Sequence, residues 1–418
     1  MTAVAIFAAG CGAARAATSQ PVTAGRGVAA SQPRTDPRPY AAGDTKFGLD
    51  LLHAWCQQAP AQNIVFSPAT LASSLGMAYL GARGATAAAM ARVLHLPTRA
   101  DLPAGADLPA GANPPAGPDL AGLLGRTRAL SSLDGPGVTV SASNEIWDAQ
   151  PSLPAYRAAL ATAYRAAVGQ IPADPGAAAR IINAAIAAGT RGQIRDLLSP
   201  DALRDVSWVL TAAMYLKANW AVPFEALQTF PQQFRTASRR SVEAPFLHAD
   251  GVRTGKASGW TSVVLPYQGG KLSMVALLPP AGASAGCAVP SAGSLSRLAS
   301  AATTGSVALP KVDLRSKADA SGLLRRLGMG IAFSATTANF TGISPNACCI
   351  KFVEQAATLR VDEKGTVASA AAATGVVPTS ATAPVAPQVV FDRPYLLLIT
   401  TSGGEPLFLA RVANPLNG

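Results

Sequence analysis

Between Val361 and Pro394 the chain reads VDEKGTVASAAAATGVVPTSATAPVAPQVVFDRP, and this stretch restricts the fold more than any other. Charge at Asp362, Glu363 and Lys364 gives way at Gly365 to very small side chains from Thr366 to Gly375, then to Pro378, Pro384 and Pro387. Strand-like patterns flank it, Phe352 to Val361 before and Val389 to Ile399 after. One reading is a structureless linker, since alanine, serine and proline bury little apolar area and bear a full ordering cost. Yet so long a connection inside a compact domain is unusual and commonly functional. The other reading is an exposed loop that can become a strand. Side chains entering an already formed sheet must be small, because overpacking costs about 1–3 kcal/mol per misfit. The flanking strands favour the loop that becomes a strand.

The 418 residues are 49% hydrophobic and only 14% charged, a globular composition. The net charge of +11 is dispersed, and no Arg/Lys cluster interleaves with aromatics, so nucleic acid is not an expected partner. Val4 to Ala9 is an apolar run ending in Ala8-Ala9-Gly10-Cys11. It reads as the end of a bacterial lipoprotein signal with Cys11 acylated, or as a trimmed secretory signal. The run is too short to span a membrane. Residues 1–42 therefore read as a signal-like start and a tether, and 43–418 as one folded domain. The expected location is extracellular or periplasmic, with an outer-surface lipoprotein as one form of it.

Helical stripes follow, first Phe47 to Trp55, then Ala69 to Leu80 after Asn63-Ile64-Val65-Phe66-Ser67-Pro68, then Thr86 to Leu94. Residues 98–117 repeat a proline- and glycine-bearing unit and read as a surface insertion. Trp208 to Lys217 is a nearly continuous apolar run, as a central strand of a large sheet should be. Ser306 to Leu309 is a strand that Pro310 to Leu314 continues, and Cys349 to Arg360, Val389 to Thr400 and Leu407 to Val412 complete the set. Helices come first and strands mostly second.

The side chains for catalysis are missing. His53, His95 and His248 are far apart in sequence and match no metal spacing, and no glycine-rich phosphate loop is present. Ser67 precedes a helix without a nucleophile elbow around it. Neither a metal nor a cofactor is expected, and the chain does not read as an enzyme. The five cysteines fit no zinc pattern. Adjacent Cys348 and Cys349 read as buried small hydrophobes on opposite faces of a strand, with a bridge from one of them to Cys56 or Cys287 as the alternative.

Taken together, Asn63 to Pro68, Leu75 to Thr86, Asn183 to Leu198, Leu210 to Trp220 with Pro223-Phe224, Leu309-Pro310-Lys311, Leu327-Gly328-Met329, Phe333-Ser334 with Ala338-Asn339-Phe340, Glu363 to Thr374, and Phe391 to Tyr395 resemble the serpin family, in its order and over nearly everything from Phe47 to Pro415. The resemblance implies an α+β fold of three β-sheets and eight to nine helices, with a reactive-centre loop (363–390) exposed above the large central sheet. It implies a suicide-substrate inhibitor of serine endopeptidases, which traps the acyl-enzyme when its cleaved loop inserts into that sheet. A non-inhibitory serpin acting as protease substrate or binding protein, or an inhibitor of a cysteine protease, is the alternative. A monomer that can polymerise by loop insertion follows from the same likeness, as does the absence of any cofactor; no basic stripe for a heparin-type site follows the third helix.

By the same resemblance the hinge is Glu363, Lys364, Gly365, Thr366, Val367, Ala368, Ser369, Ala370 and Ala371, with Thr366 the first inward side chain. Relatives usually carry Glu at the position of Val367. The family's usual distance from Gly365 places the reactive bond between Thr379 and Ser380, with cleavage after Ala381 or Thr382 as alternatives. No residue from Gly365 to Val390 is charged, which favours elastase-like or subtilisin-like targets over trypsin-like ones. Trp220 matches the tryptophan under the insertion point. Where relatives often pair an asparagine and a histidine under the opening of the sheet, this chain has Ala212 and Gln355, so Gln355 must find Ser67 or a backbone partner, or the sheet opens more readily.

Overall fold

The structure is a computed structural model that describes residues 36–97, 119–204, 206–283, 286–366 and 388–417. The signal-like start with Cys11, the insertion at 98–117, and the loop positions Val367, Ala368, Ser369, Ala370, Ala371, Thr379 and Ser380 lie outside the described residues.

Helix α1 (Arg38–Gln58) begins upstream of the Phe47 stripe, with Pro37 preceding its first turn. Strand β1 (Ile64–Phe66) leads into α2 (Pro68–Gly81), whose first turn is capped by Ser67 Oγ accepting from Thr70 N at 3.2 Å. Every residue of α2 is buried, which suits its apolar character on all sides. Helices α3 (Gly84–Val93) and α4 (Leu120–Ser131) precede β2 (Val138–Asp148), α5 (Pro154–Tyr164), β3 (Val168–Gln170) and α6 (Pro175–Gly189).

The apolar run becomes β4 (Trp208–Asn219). Its lower half is buried on both faces, because α6 covers the outer one: Ala178, Ile182 and Ile186 pack on Val209 and Ala213. Beyond that cover the burial alternates, as a strand with one wet face should. A six-stranded sheet forms around it in the order β10 (Val312–Asp319), β11 (Glu354–Val361), β12 (Gly365–Thr366), β4, β2, β3.

The remaining strands are β5 (Phe230–Arg235), β6 (Ser241–Ala257), β7 (Trp260–Pro266), β8 (Leu272–Leu278), β9 (Thr303–Pro310), β13 (Gln388–Val390), β14 (Tyr395–Thr401) and β15 (Pro406–Val412). With β1 they make one nine-stranded network. The second and third sheets of the expected architecture join here because β6 and β9 run through both, bending at a bulge between Asp250 and Val252. Gly251 supplies the left-handed backbone there, with φ at +72°. Helices α7 (Ala292–Ala299) and α8 (Ser321–Leu324) bring the α-helices among the described residues to eight, and the expected α+β class is the observed one.

Three local expectations are corrected. Of Pro310 to Leu314 only Pro310 belongs to β9; the strand is interrupted at Lys311, and β10 joins the other sheet. Cys348 and Cys349 precede β11 rather than lying in it. The bridge that forms joins Cys56 to Cys287, with Cα atoms 5.5 Å apart, and leaves Cys348 and Cys349 free. Sequence spacing carries no sign of this pairing, because α1 and the segment before α7 meet only in the tertiary fold.

Candidate functional site

Strand β11 ends at Val361, and the chain reverses through Asp362, Glu363 and Lys364 to return as β12. The Asp362 carboxylate accepts from Lys364 N at 3.0 Å and Gly365 N at 3.3 Å, and Asp362 N donates to Gly365 O at 3.0 Å. The turn's carbonyls are held from outside: Trp220 Nε1 donates to Asp362 O, Phe224 N to Glu363 O and Trp220 N to Lys364 O, at 2.8–2.9 Å. Lys311 Nζ lies 2.9 Å from both Glu363 oxygens, and the Thr229 hydroxyl donates to one of them at 3.0 Å. Burial by itself pushes Glu363 up, but the bonds from Lys311 and Thr229 outweigh it and hold the carboxyl below its usual range.

Gly365 then passes so close to β4 that a Cβ there would stand 2.1 Å from Ala218 O. Only glycine fits. Gly365 pairs with Asn219, and Thr366 pairs with Ala218 on one side and Val361 on the other. Thr366 is 1% exposed, and its Oγ1 lies 2.6 Å from the Tyr267 hydroxyl. Burial pushes the Tyr267 phenol well up, with the Thr366 bond pulling the other way, so the phenol stays protonated. The Tyr267 ring stacks on Trp220 at 4.5 Å, and Phe224 meets Trp220 edge-on at 6.0 Å.

Below this seated pair, β4 and β11 come together directly and in parallel, Gln355 opposite Ala212, Ala356 opposite Ala213 and Ala357 opposite Met214. The offset between β4 and β11 is the same across β12 as in this direct pairing. A cavity of about 150 Å³ lies between the two levels, lined among others by Met214, Tyr215, Thr358 and Arg360.

Gln355 is 2% exposed; its Nε2 donates to Ser316 Oγ at 3.2 Å and more distantly to Val65 O at 3.5 Å. It has the backbone partner and does not meet Ser67, which caps α2 with its Oγ 3.6 Å from Met214 Sδ. Trp220, Glu363, Lys364, Gly365 and Thr366 thus converge at one end of the sheet, while Ala212, Gln355 and Ser67 lie lower, where β4 and β11 meet. Sequence reasoning assigned no role to Tyr267, Lys311, Phe224, Thr229 or Ser316. Lys311 and Phe224 stood in serpin-like motifs and could have been found; nothing in sequence brings Tyr267 to Thr366. The chain re-enters the described residues at β13, parallel to Ser306–Ala308 of β9.

The histidines are dispersed in the fold as they are in sequence. His53 meets the Cys287 carbonyl, His95 pairs with Asp50, and His248 stacks on Phe230. Among the described residues, no group of three or more His, Cys, Asp or Glu side chains could hold a metal. No helix among them is long and apolar enough to cross a membrane.

A two-residue strand thus sits between β4 and β11 at the upper end of the central sheet, and the two strands close on each other directly beneath it. The profile described as "Serpin (serine protease inhibitor)" matches residues 42–415, and the chain belongs to the serpin family. It is 29% identical over 369 residues to an uncharacterized serpin-like protein of Thermococcus kodakarensis, covering 85% of this chain and 82% of that one. It is also 29% identical over 410 residues to Serpin-Z7 of Hordeum vulgare, covering 91% and 98%. Among solved structures, native protease nexin-1 with heparin superposes with a TM-score of 0.74 at 25% identity, covering 91% of this chain and 99% of that one. Human thyroxine-binding globulin complexed with thyroxine gives 0.75 at 23%, covering 91% and 100%. By family the chain is not an enzyme.

Proposed function

We propose that this serpin is a suicide-substrate inhibitor of serine endopeptidases with elastase-like or subtilisin-like preference. One observation carries the reading: the shared offset across β12 and across the direct β4–β11 contact. Continued at that offset, a cleaved loop enters with no slip on either strand. Ala368 then falls between Leu216 and Leu359, Ala370 between Met214 and Ala357, and Ala372 between Ala212 and Gln355, all on the core face begun by Thr366. Each neighbour is buried, so only small residues fit without overpacking. On the outer face Val367 falls between Lys217 and Arg360, and Ser369 between Tyr215 and Thr358.

The chemistry belongs to the protease. Its serine Oγ attacks the Thr379 carbonyl, the Ser380 amine departs, and an ester links enzyme to loop. Insertion then adds a strand between β4 and β11 and carries the enzyme away before water can cleave the ester. Serpin loop insertion is a standard case of strand addition and of a stored-strain switch. The uncharged loop supports small-pocket targets.

The chain is read as a bacterial, exported monomer, with residues 1–42 as signal and tether, Cys11 as the site of a lipid anchor and 43–418 as the inhibitory domain. The Cys56–Cys287 bridge supports export, since such bridges persist in oxidising compartments. Mixing the protein with pancreatic elastase and with subtilisin tests the reading. An adduct that survives denaturing electrophoresis, with the peptide from Ser380 onward released, is expected; clean loop cleavage with no adduct across a wide protease panel would sink it.

A further inference from the structure

The four cysteines among the described residues are in two states. Cys56 and Cys287 are bonded across a sequence separation of 231, while Cys348 and Cys349 are free. The free sulfurs nevertheless lie 2.7 Å apart, inside ordinary non-bonded contact. The pair sits in the segment between Phe333 and β11, Cys349 buried and Cys348 half-buried. Backbone bonds fix it on both sides: Ala347 N donates to Ser344 O at 3.1 Å, and Ile350 N donates to Ala332 O at 2.9 Å. The Cys348 thiol faces Ala335 O at 3.9 Å.

We propose that Cys348 and Cys349 are a reversible dithiol–disulfide site, oxidised by small-molecule disulfides of the glutathione type, set at the lower end of β11. Adjacent residues have Cα atoms about 3.8 Å apart across a trans peptide. Relaxed disulfides span roughly 4.4–6.8 Å, a range that includes the 5.5 Å of Cys56–Cys287. Strained, accessible disulfides are the labile ones, so the two pairs differ in role: one stays closed and the other exchanges.

The more exposed Cys348 enters first. Its thiolate attacks one sulfur of glutathione disulfide and expels a glutathione thiolate, which takes up the proton Cys348 gave to solvent. Burial, reinforced by the neighbouring Cys348 thiol, pushes the Cys349 thiol up to about 11, against the opposing pull of Lys351 and Arg325. It reacts second, where proximity offsets its weak acidity. Losing its proton, it attacks the Cys348 sulfur and displaces the second glutathione. Two protein thiols become one disulfide, and one glutathione disulfide becomes two thiols. The small ring so formed lies just ahead of Glu354, where β11 must part from β4 when a loop enters.

The full chain, equilibrated at graded ratios of reduced to oxidised glutathione and then alkylated, tests this by peptide mass. The expected result is loss of two hydrogens and of alkylation from the peptide holding Cys348 and Cys349, reversed by reduced glutathione while Cys56–Cys287 stays bonded. Cys348→Ser should abolish that loss with Cys56–Cys287 intact. A glutathione adduct persisting on Cys348 with Cys349 still alkylated, or no change short of unfolding, would overturn the site. The link to β11 rests on the insertion reading and is read separately, as the rate at which the cleaved chain gains thermal stability. A ratio of oxidised to reduced rate below one is expected, and equal rates would remove β11 from the proposal without touching the thiol chemistry.

Discussion

The hydroxyls of Tyr267 and Thr366 lie 2.6 Å apart in the core, and this bond holds Thr366 inside the sheet. Tyr267→Phe removes it and leaves the buried Thr366 hydroxyl unpaired. A loss of about 1–3 kcal/mol in native stability is expected, visible as a lower melting temperature. Altered Trp220 fluorescence should accompany it, since Trp220 stacks on the same ring.

Thr366→Arg places a charge where the native residue is 1% exposed, between Ala218 and Val361. An unpaired buried ion is too costly to seat there. The variant should be cleaved by elastase as an ordinary substrate, with its adduct yield reduced at least tenfold on denaturing gels. Undiminished adduct would show that Thr366 does not need to enter.

Val367→Glu is expected to act in the opposite sense. At the offset set by β12, this side chain arrives between Lys217 and Arg360 on the outer face. Opposite-charge neighbours across strands contribute roughly 0.2–1 kcal/mol each. Stopped-flow measurement should find faster insertion, and gels should show more adduct per molecule of inhibitor cleaved.

The Lys311–Glu363 pair gives the turn before β12 a pH dependence whose sign follows from the lowered Glu363 carboxyl. A depressed native value means the stabilisation is full above the ordinary value of 4.5 and is lost as pH falls through the native one. The melting-temperature gap between the natural chain and Glu363→Gln should be constant above about pH 5.5 and close in more acid solution. The pair is partly exposed, so salt should narrow the gap as well.

Much of this site could be read before the fold was seen, because its constraints are local. Gly365 announces a close approach of backbone to backbone, and it meets Ala218 of β4 where only glycine fits, while the apolar run ending at Trp220 announces β4 itself. Trp220 and Glu363 lay in quoted motifs, and both reach the site. Tyr267, Thr229 and Ser316 did not declare themselves, since each acts only through a contact made across the tertiary fold. The Cys56–Cys287 bridge escaped for the same reason. The one strand read from Ser306 into Leu314 hid a change of sheet at Lys311, because a strand pattern does not say which partner the strand will choose.

The central claim is that β4 and β11 part to admit the loop at the offset already set by Thr366. Hydrogen exchange of the chain before and after cleavage within the loop tests it most directly, read at residues 215–217 and 358–360. Insertion predicts new protection at both edges together with a marked rise in melting temperature. Unchanged exchange at both edges, with an unchanged melting temperature after complete cleavage, would contradict the account.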